Sequence, residues 1–168
     1  MGAKLISERP IKFGCIGGHQ LLVDYPVQAS QVFKHTGGGF VSMDSSERIG
    51  VAVSSDTQIL GWCETGDYTT PSTAAIIQLP VDIGFGALYL LPLATSDAAA
   101  ARTEAQLKDL IGKTCDLDVI SNIQYADYGA SSTDVIKIVD YRYWGSAAGE
   151  QAVVVMMNPT KAFTAAVA

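Results

Sequence analysis

The sequence predicts a mainly β protein: a short-stranded β-barrel or β-sandwich module with an extended N-terminal arm before it, then one short helix and a second small β unit. Three observations predict this. Between residues 37 and 91, short apolar runs recur at intervals of roughly 8 to 12 residues with turn formers between them, the spacing of sandwiches and barrels. Only residues 95–111 combine helix-forming composition with cap signals. Residues 1–36 are apolar but show no periodicity. The expected organisation is an arm at 1–36, a β-barrel-like module at 37–94, and a helix plus second β subdomain at 95–168, with a soft boundary near Thr95.

In the first segment Gly14, Gly17 and Gly18 interrupt any element, and Pro10 and Pro26 break others. The segment still carries Leu5, Ile6, Ile11, Phe13, Ile16, Leu21, Leu22, Val23, Tyr25 and Phe33, too apolar a set for a disordered tail. It reads as an arm that needs a surface to lie on. Phe13, Ile16, Tyr25 and Phe33 are its candidate anchors.

From Gly37 the character changes. Gly37-Gly38-Gly39 leads into Phe40-Val41-Ser42-Met43-Asp44, which alternates apolar and polar, and Asp44-Ser45-Ser46 is turn material. Residues 49–53 make a second strand, Ser54-Ser55-Asp56 a second turn, and residues 57–63 a third strand. There Ile59 is expected to face inward, with Leu60 and Trp62 on the opposite face. Residues 74–81 and 87–91 complete the series. Pro80 and Pro92 are expected at strand ends, where a missing N–H does least harm.

The helix at 95–111 starts at Thr95-Ser96-Asp97, and alanines 98–101 favour it. Thr103 and Gln106 also have capping-box spacing, which would start it at Glu104 instead. Leu107, Leu110 and Ile111 form its apolar stripe, and Gly112 suits a left-handed C′ position. In the strand at 114–120, Cys115, Leu117 and Val119 take one face and Asp116 and Asp118 the other. Residues 135–139 alternate around Lys137. Residues 152–157 are a continuous apolar run, as in a strand covered on both faces, and Asn158-Pro159 ends it.

Composition narrows the function. Of 168 residues, 48% are hydrophobic and only 17% charged, so the surface is poor in charge. Such a surface fits either a domain rich in small residues or one partly buried against other subunits. The net charge is −6 and the 11 Lys and Arg never form a run of three, which argues against direct nucleic-acid binding. Cys15, Cys63 and Cys115 are distant and lack CxxC spacing, so they read as thiols in a reducing compartment. The start, Met-Gly-Ala-Lys-Leu, does not resemble a signal peptide, and no apolar run nears the roughly 18 residues of a membrane span.

No constellation compels a catalytic reading. Cys15 and His19 lie four apart, but the glycines between and around them oppose the helix that would bring them together. The histidines, His19 and His35, stand alone. The stretch from Asp127 to Asp134 is rich in oxygen donors yet lacks EF-hand spacing, and reads as turn residues. The glycine groups match neither a P-loop nor a dinucleotide fingerprint. No Gly-x-Ser-x-Gly elbow occurs. Neither catalytic residues nor a cofactor or metal site are therefore expected. The aromatics Tyr125 and Tyr128, and Tyr141, Tyr143 and Trp144, fit either an interface or a satellite core, with Tyr143 and Trp144 as further interface candidates.

The stretches Gly38-Gly39-Phe40-Val41-Ser42-Met43-Asp44, Ile49-Gly50-Val51-Ala52 and Ile59-Leu60-Gly61-Trp62 resemble the β module of tailed-phage head-decoration, or capsid cement, proteins. The resemblance covers residues 37–91; the half from the helix onward departs from it. It implies a non-enzymatic virion protein, made in the host cytoplasm, that sits on the capsid surface. Its implied partners are the major capsid protein and copies of itself, as a homotrimer, with neither nucleic acid nor membrane bound directly. The alternative is a β-barrel module that binds a ligand or carbohydrate through its aromatic loops.

Overall fold

Up to Asp82 every described strand has five residues or fewer, because glycines and turn formers crowd this half of the sequence. The computed structural model describes residues 14–18, 21–33, 38–73, 77–95, 98–147 and 149–162. The first half holds β1 (Gly14–Gly17), β2 (Leu22–Pro26), β3 (Val32–Phe33), β4 (Gly39–Met43), β5 (Ile49–Val51), β6 (Gly61–Cys63), β7 (Tyr68–Thr69) and β8 (Gln78–Asp82). Then come β9 (Leu88–Thr95), β10 (Ala98–Ala99) and α1 (Glu104–Lys108). The second half holds β11 (Thr114–Ile120), β12 (Ile123–Asp127), β13 (Ile136–Tyr143) and β14 (Gln151–Met157). The protein is mainly β, with one short helix among the described residues.

Five strands close on themselves. β9 pairs in parallel with β12, β12 antiparallel with β11, β11 with β13, β13 with β14, and β14 with β9. Side-chain alternation then sorts two surfaces. Tyr89, Leu91, Leu93, Cys115, Leu117, Ala126, Ile136, Ile138, Val153, Val155 and Met157 join one buried core, while Leu90, Ala152 and Val154 cluster separately on the other side. β14 is thus covered on both faces, as its unbroken apolar run predicts. β1 and β10 extend β9.

A second sheet runs β2-β8-β6-β4-β5, all antiparallel. One of its faces sends Phe40 and Trp62 into the ring's core, and its other face builds a second core of Val41, Ile49, Leu60, Cys63, Leu79 and Val81. The junction is aromatic. Trp62 stacks on Tyr89 at 4.8 Å, and Phe40 meets both edge-on at 4.9 and 5.1 Å. Such pairs contribute about 0.5–1.5 kcal/mol each beyond their buried area.

Several elements differ from expectation, each for a physical reason. Residues 21–33 are built into the body: β2 pairs with β8, β3 with β7, and Val27 and Phe33 are buried in the second core. Pairing partners distant in sequence, not local periodicity, make these strands. β9 belongs to the ring with residues 114–157, so the expected boundary near Thr95 falls inside a sheet. Ala98–Ala99 pairs with β9 despite its helix propensity, and the helix starts at Glu104 with the Thr103–Gln106 capping box complete. It ends by Lys108, though Gly112 does take the left-handed φ of +87°.

Pro80 and Pro92 lie within strands rather than at their ends. Pro80 faces Asp24 at a position whose N–H is not owed to β2, and β6 ends at Cys63, before a residue would need that N–H. Pro92 falls between the β1 pairing, which reaches Leu90, and the β12 pairing, which begins at Leu93. Alternation also breaks between Leu60 and Gly61, where a Cβ would lie 2.2 Å from the Asp82 carbonyl oxygen. Ile59 and Trp62 therefore share the ring's core, and Leu60 and Cys63 share the other.

Candidate interaction surface

Asp82, at the end of β8, is fully buried and organises one end of the molecule. Its Oδ1 accepts the N–H groups of Leu21 and Gly84, both at 2.9 Å, and its Oδ2 accepts the Tyr89 hydroxyl at 2.6 Å. Three donors, one of them in the core, hold this carboxylate without a cation. Burial, reinforced by the hydrogen bond to Asp82, pushes the Tyr89 hydroxyl far above its ordinary value, so it stays a donor. Nearby, Gly18 has φ +92°, and a Cβ there would sit 2.0 Å from the Gly86 carbonyl oxygen. Gly18 and Leu21 are thereby held against the end of β8 and the turn that follows it.

Several exposed apolar residues lie on the elements that meet here. Ile16 of β1 (45% exposed), Leu21 (57%), Leu22 and Val23 of β2, and Phe85 in the turn all border this junction. They are five of the nine large hydrophobics exposed among the described residues, and they sit on β1, the start of β2 and the turn after β8, with Leu22 and Val23 on opposite faces of their strand.

β2 also leaves an edge open. Its register with β8 places Leu21 opposite Ile83 and Val27 opposite Ile77, and both pairs are hydrogen-bonded. Alternation then points the N–H and C=O of Leu22 and Asp24 away from β8, and among the described residues β2 has no second neighbour in the sheet. The opposite edge is closed: Gln31 Oε1 accepts the Val51 N–H at 2.9 Å, and the Ile49 carbonyl accepts the Gln28 N–H at 2.8 Å.

The residues singled out in the sequence fare differently. Ile16 is exposed at the apolar junction, and Tyr25 is half-buried at the far end of β2. Phe33 is a correction: at 2% exposure it fills the chain's own second core and offers nothing to a neighbour. Phe13 lies outside the described residues. Tyr143 and Trp144 are each more than a third exposed where β13 turns toward β14. Tyr141 packs partly on the ring's core, and Arg102 lies 3.8 Å over the Tyr128 ring, so the faces of these two are engaged within the chain. Leu21, Leu22 and Phe85 were not singled out. The signal was there: three successive apolar residues cannot all enter one face of a strand, and an apolar residue between Gly84 and Gly86 sits in a turn.

The candidate chemical groups have structural partners. Asp116 Oδ1 accepts the N–H groups of Thr133 and Asp134, and its Oδ2 accepts Ser132 N–H and Oγ–H, at 2.7–3.0 Å. The loop that looked rich in cation ligands thus turns its N–H groups onto a carboxylate of its own chain. Burial would raise the Asp116 pKa, but these bonds outweigh it and hold the carboxyl below the usual range. Burial pushes the Cys63 and Cys115 thiols up, away from the reactive thiolate. Cys15 is half-buried, and His19 and His35 lie outside the described residues. Among the described residues no three His, Cys, Asp or Glu side chains gather as a metal site, and no helix is long and apolar enough to cross a membrane. Comparison with protein-family models, with curated proteins and with solved structures found no match.

Proposed function

We propose that the protein is a structural virion component, a capsid decoration or cement protein that binds the outer surface of a phage head and clamps neighbouring shell subunits. The observation that carries this reading is the apolar border of Ile16, Leu21, Leu22, Val23 and Phe85 beside an open sheet edge. Such a border on a charge-poor chain suits a protein made to be covered by others. The strand–turn–strand segments that resemble the decoration module correspond to β4, β5 and β6, held rigidly between two cores. Its partners would be the major capsid protein and copies of itself, as a homotrimer. Each contact is weak, but repetition over a symmetric shell multiplies it through effective concentration.

Sedimentation with emptied tailed-phage heads tests the proposal. The wild-type chain is expected to pellet with shells and raise their melting temperature, and a Leu21→Asp/Leu22→Asp variant to do neither. Equal binding by that variant, or no binding by the wild type, would overturn it.

A second reading, a module for a ligand or carbohydrate, is favoured by the exposure of Tyr143 and Trp144 alone. Glycan-array binding abolished by Trp144→Ala would support it; a blank array would remove it.

A further inference from the structure

We infer that residues 1–13 of a second copy bind along the open edge of β2. This rests on the reading of the protein as an assembly component and names one partner of that surface. The outward N–H and C=O groups of Leu22 and Asp24 are matched by an extended backbone, which adds to the sheet as a further strand. The side chains beside that edge are apolar, with Asp24 the one charge within β2. The fitting occupant is therefore a strand both apolar and basic.

Residues 1–13 have that composition. They carry Leu5, Ile6, Ile11 and Phe13, with Lys4, Arg9 and Lys12 against the single acid Glu8, while the chain as a whole is acidic. Residues 3–8 hold no proline to interrupt a ladder. The segment joins the body at Gly14, which pairs with Leu90, whereas the apolar junction lies at the other end of β1, where Gly17 meets Leu88. A 13-residue stretch reaches at most roughly 45 Å when extended, enough to cross to a neighbouring copy.

Two full-length variants test this by complementation. Asp24→Pro removes an outward N–H without touching the bonds from β2 to β8, so the edge is blocked while the strand stays. Lys4→Glu/Arg9→Glu/Lys12→Glu reverses the charge of the arm and leaves the edge intact. Light scattering and sedimentation velocity should give wild-type protein a mass above one chain and each variant the mass of one chain. An equimolar mixture of the two should form a two-chain complex, joined by the one intact arm and the one intact edge, with both variants present in it by mass spectrometry. The rescue also shows that both are folded. A wild type of single-chain mass, a variant that keeps the assembled mass, or a mixture that stays monomeric would overturn the inference. A single-chain wild type with slowly exchanging Leu22 and Asp24 amides would assign the edge to the chain's own arm instead. Shell sedimentation is a separate readout: full shell binding by either variant leaves the decoration proposal standing even where the arm–edge pairing fails.

Discussion

Gln124 on β12 and Phe40 on β4 are joined by two hydrogen bonds across 84 residues of chain: Phe40 N–H donates to Gln124 Oε1 at 2.7 Å, and Gln124 Nε2 donates to the Phe40 carbonyl at 2.8 Å. The same Nε2 also donates to the Ala52 carbonyl at 2.8 Å. One buried side-chain amide thus completes the backbone bonding of the open sheet from within the ring.

Replacing it should uncouple the two halves. Gln124→Leu keeps the volume but leaves the Phe40 N–H and the Ala52 carbonyl without this partner in a dry site, at about 1–3 kcal/mol per group. Gln124→Glu should be worse above pH 5, because a carboxylate can accept from Phe40 N–H but turns a second oxygen toward two carbonyls. Urea denaturation followed by Trp fluorescence measures both, and a midpoint unchanged in Gln124→Leu would contradict the coupling.

The buried Asp82 yields a second expectation. Tyr89→Phe keeps the stack on Trp62 but removes the hydroxyl donor, leaving the carboxylate its two backbone donors. A hydrogen bond to a charged group contributes about 1.5–3 kcal/mol, so the urea midpoint should fall by that equivalent. An Asp82→Asn/Tyr89→Phe double variant should lose less than the sum of the single losses, since the two groups share one bond.

Acid should act through Asp116. Its folded pKa lies below the unfolded value of about 3.9, so its contribution to stability is fully present above that value and disappears as pH falls through the lowered folded pKa. The Asp44 carboxyl is also lowered, chiefly by the backbone N–H of Arg48, and adds the same sign. Stability measured from pH 6 down to pH 2 should therefore drop below about pH 4, and Asp116→Asn should flatten that limb while lowering the plateau. An unchanged acid limb in Asp116→Asn would assign the drop to other carboxylates.

Thiol chemistry separates the cysteines. Cys15 is half-buried, whereas Cys63 and Cys115 are enclosed in the cores with thiols pushed up by burial. A chromogenic disulfide reagent should titrate Cys15 first in native protein, and Cys63 and Cys115 only at the rate of unfolding.

Much of this fold is readable locally. The apolar run of β14, the alternation of β11, the turn in which Asp44 accepts Ser46 N–H, and the Thr103 capping box are each set by residues within a few positions. What local reading misses depends on distant partners. Nothing near Leu90 says that it will pair with β1 and β14 rather than with β8, and nothing near Ala98 says that a strand will outbid its helix propensity. β2 and β3 are hidden the same way, so Phe33 reads as an arm residue until its core is seen. The candidate surface is only partly legible in sequence: Ile16 can be singled out there, while the Asp82 carboxylate that ties Leu21 to Gly84 links residues that meet only in the folded chain.

The closure of the ring carries a consequence for synthesis. β9 is made early but finds its neighbours β12 and β14 only after residues 123–157 have been translated. Until then Phe40, Trp62 and Tyr89 have no finished interior to enter, and the nascent chain leaves them exposed. Ribosome-bound chains halted before Met157 should recruit chaperones through these rings, and productive folding should begin in a late, cooperative step once the last strand clears the exit tunnel.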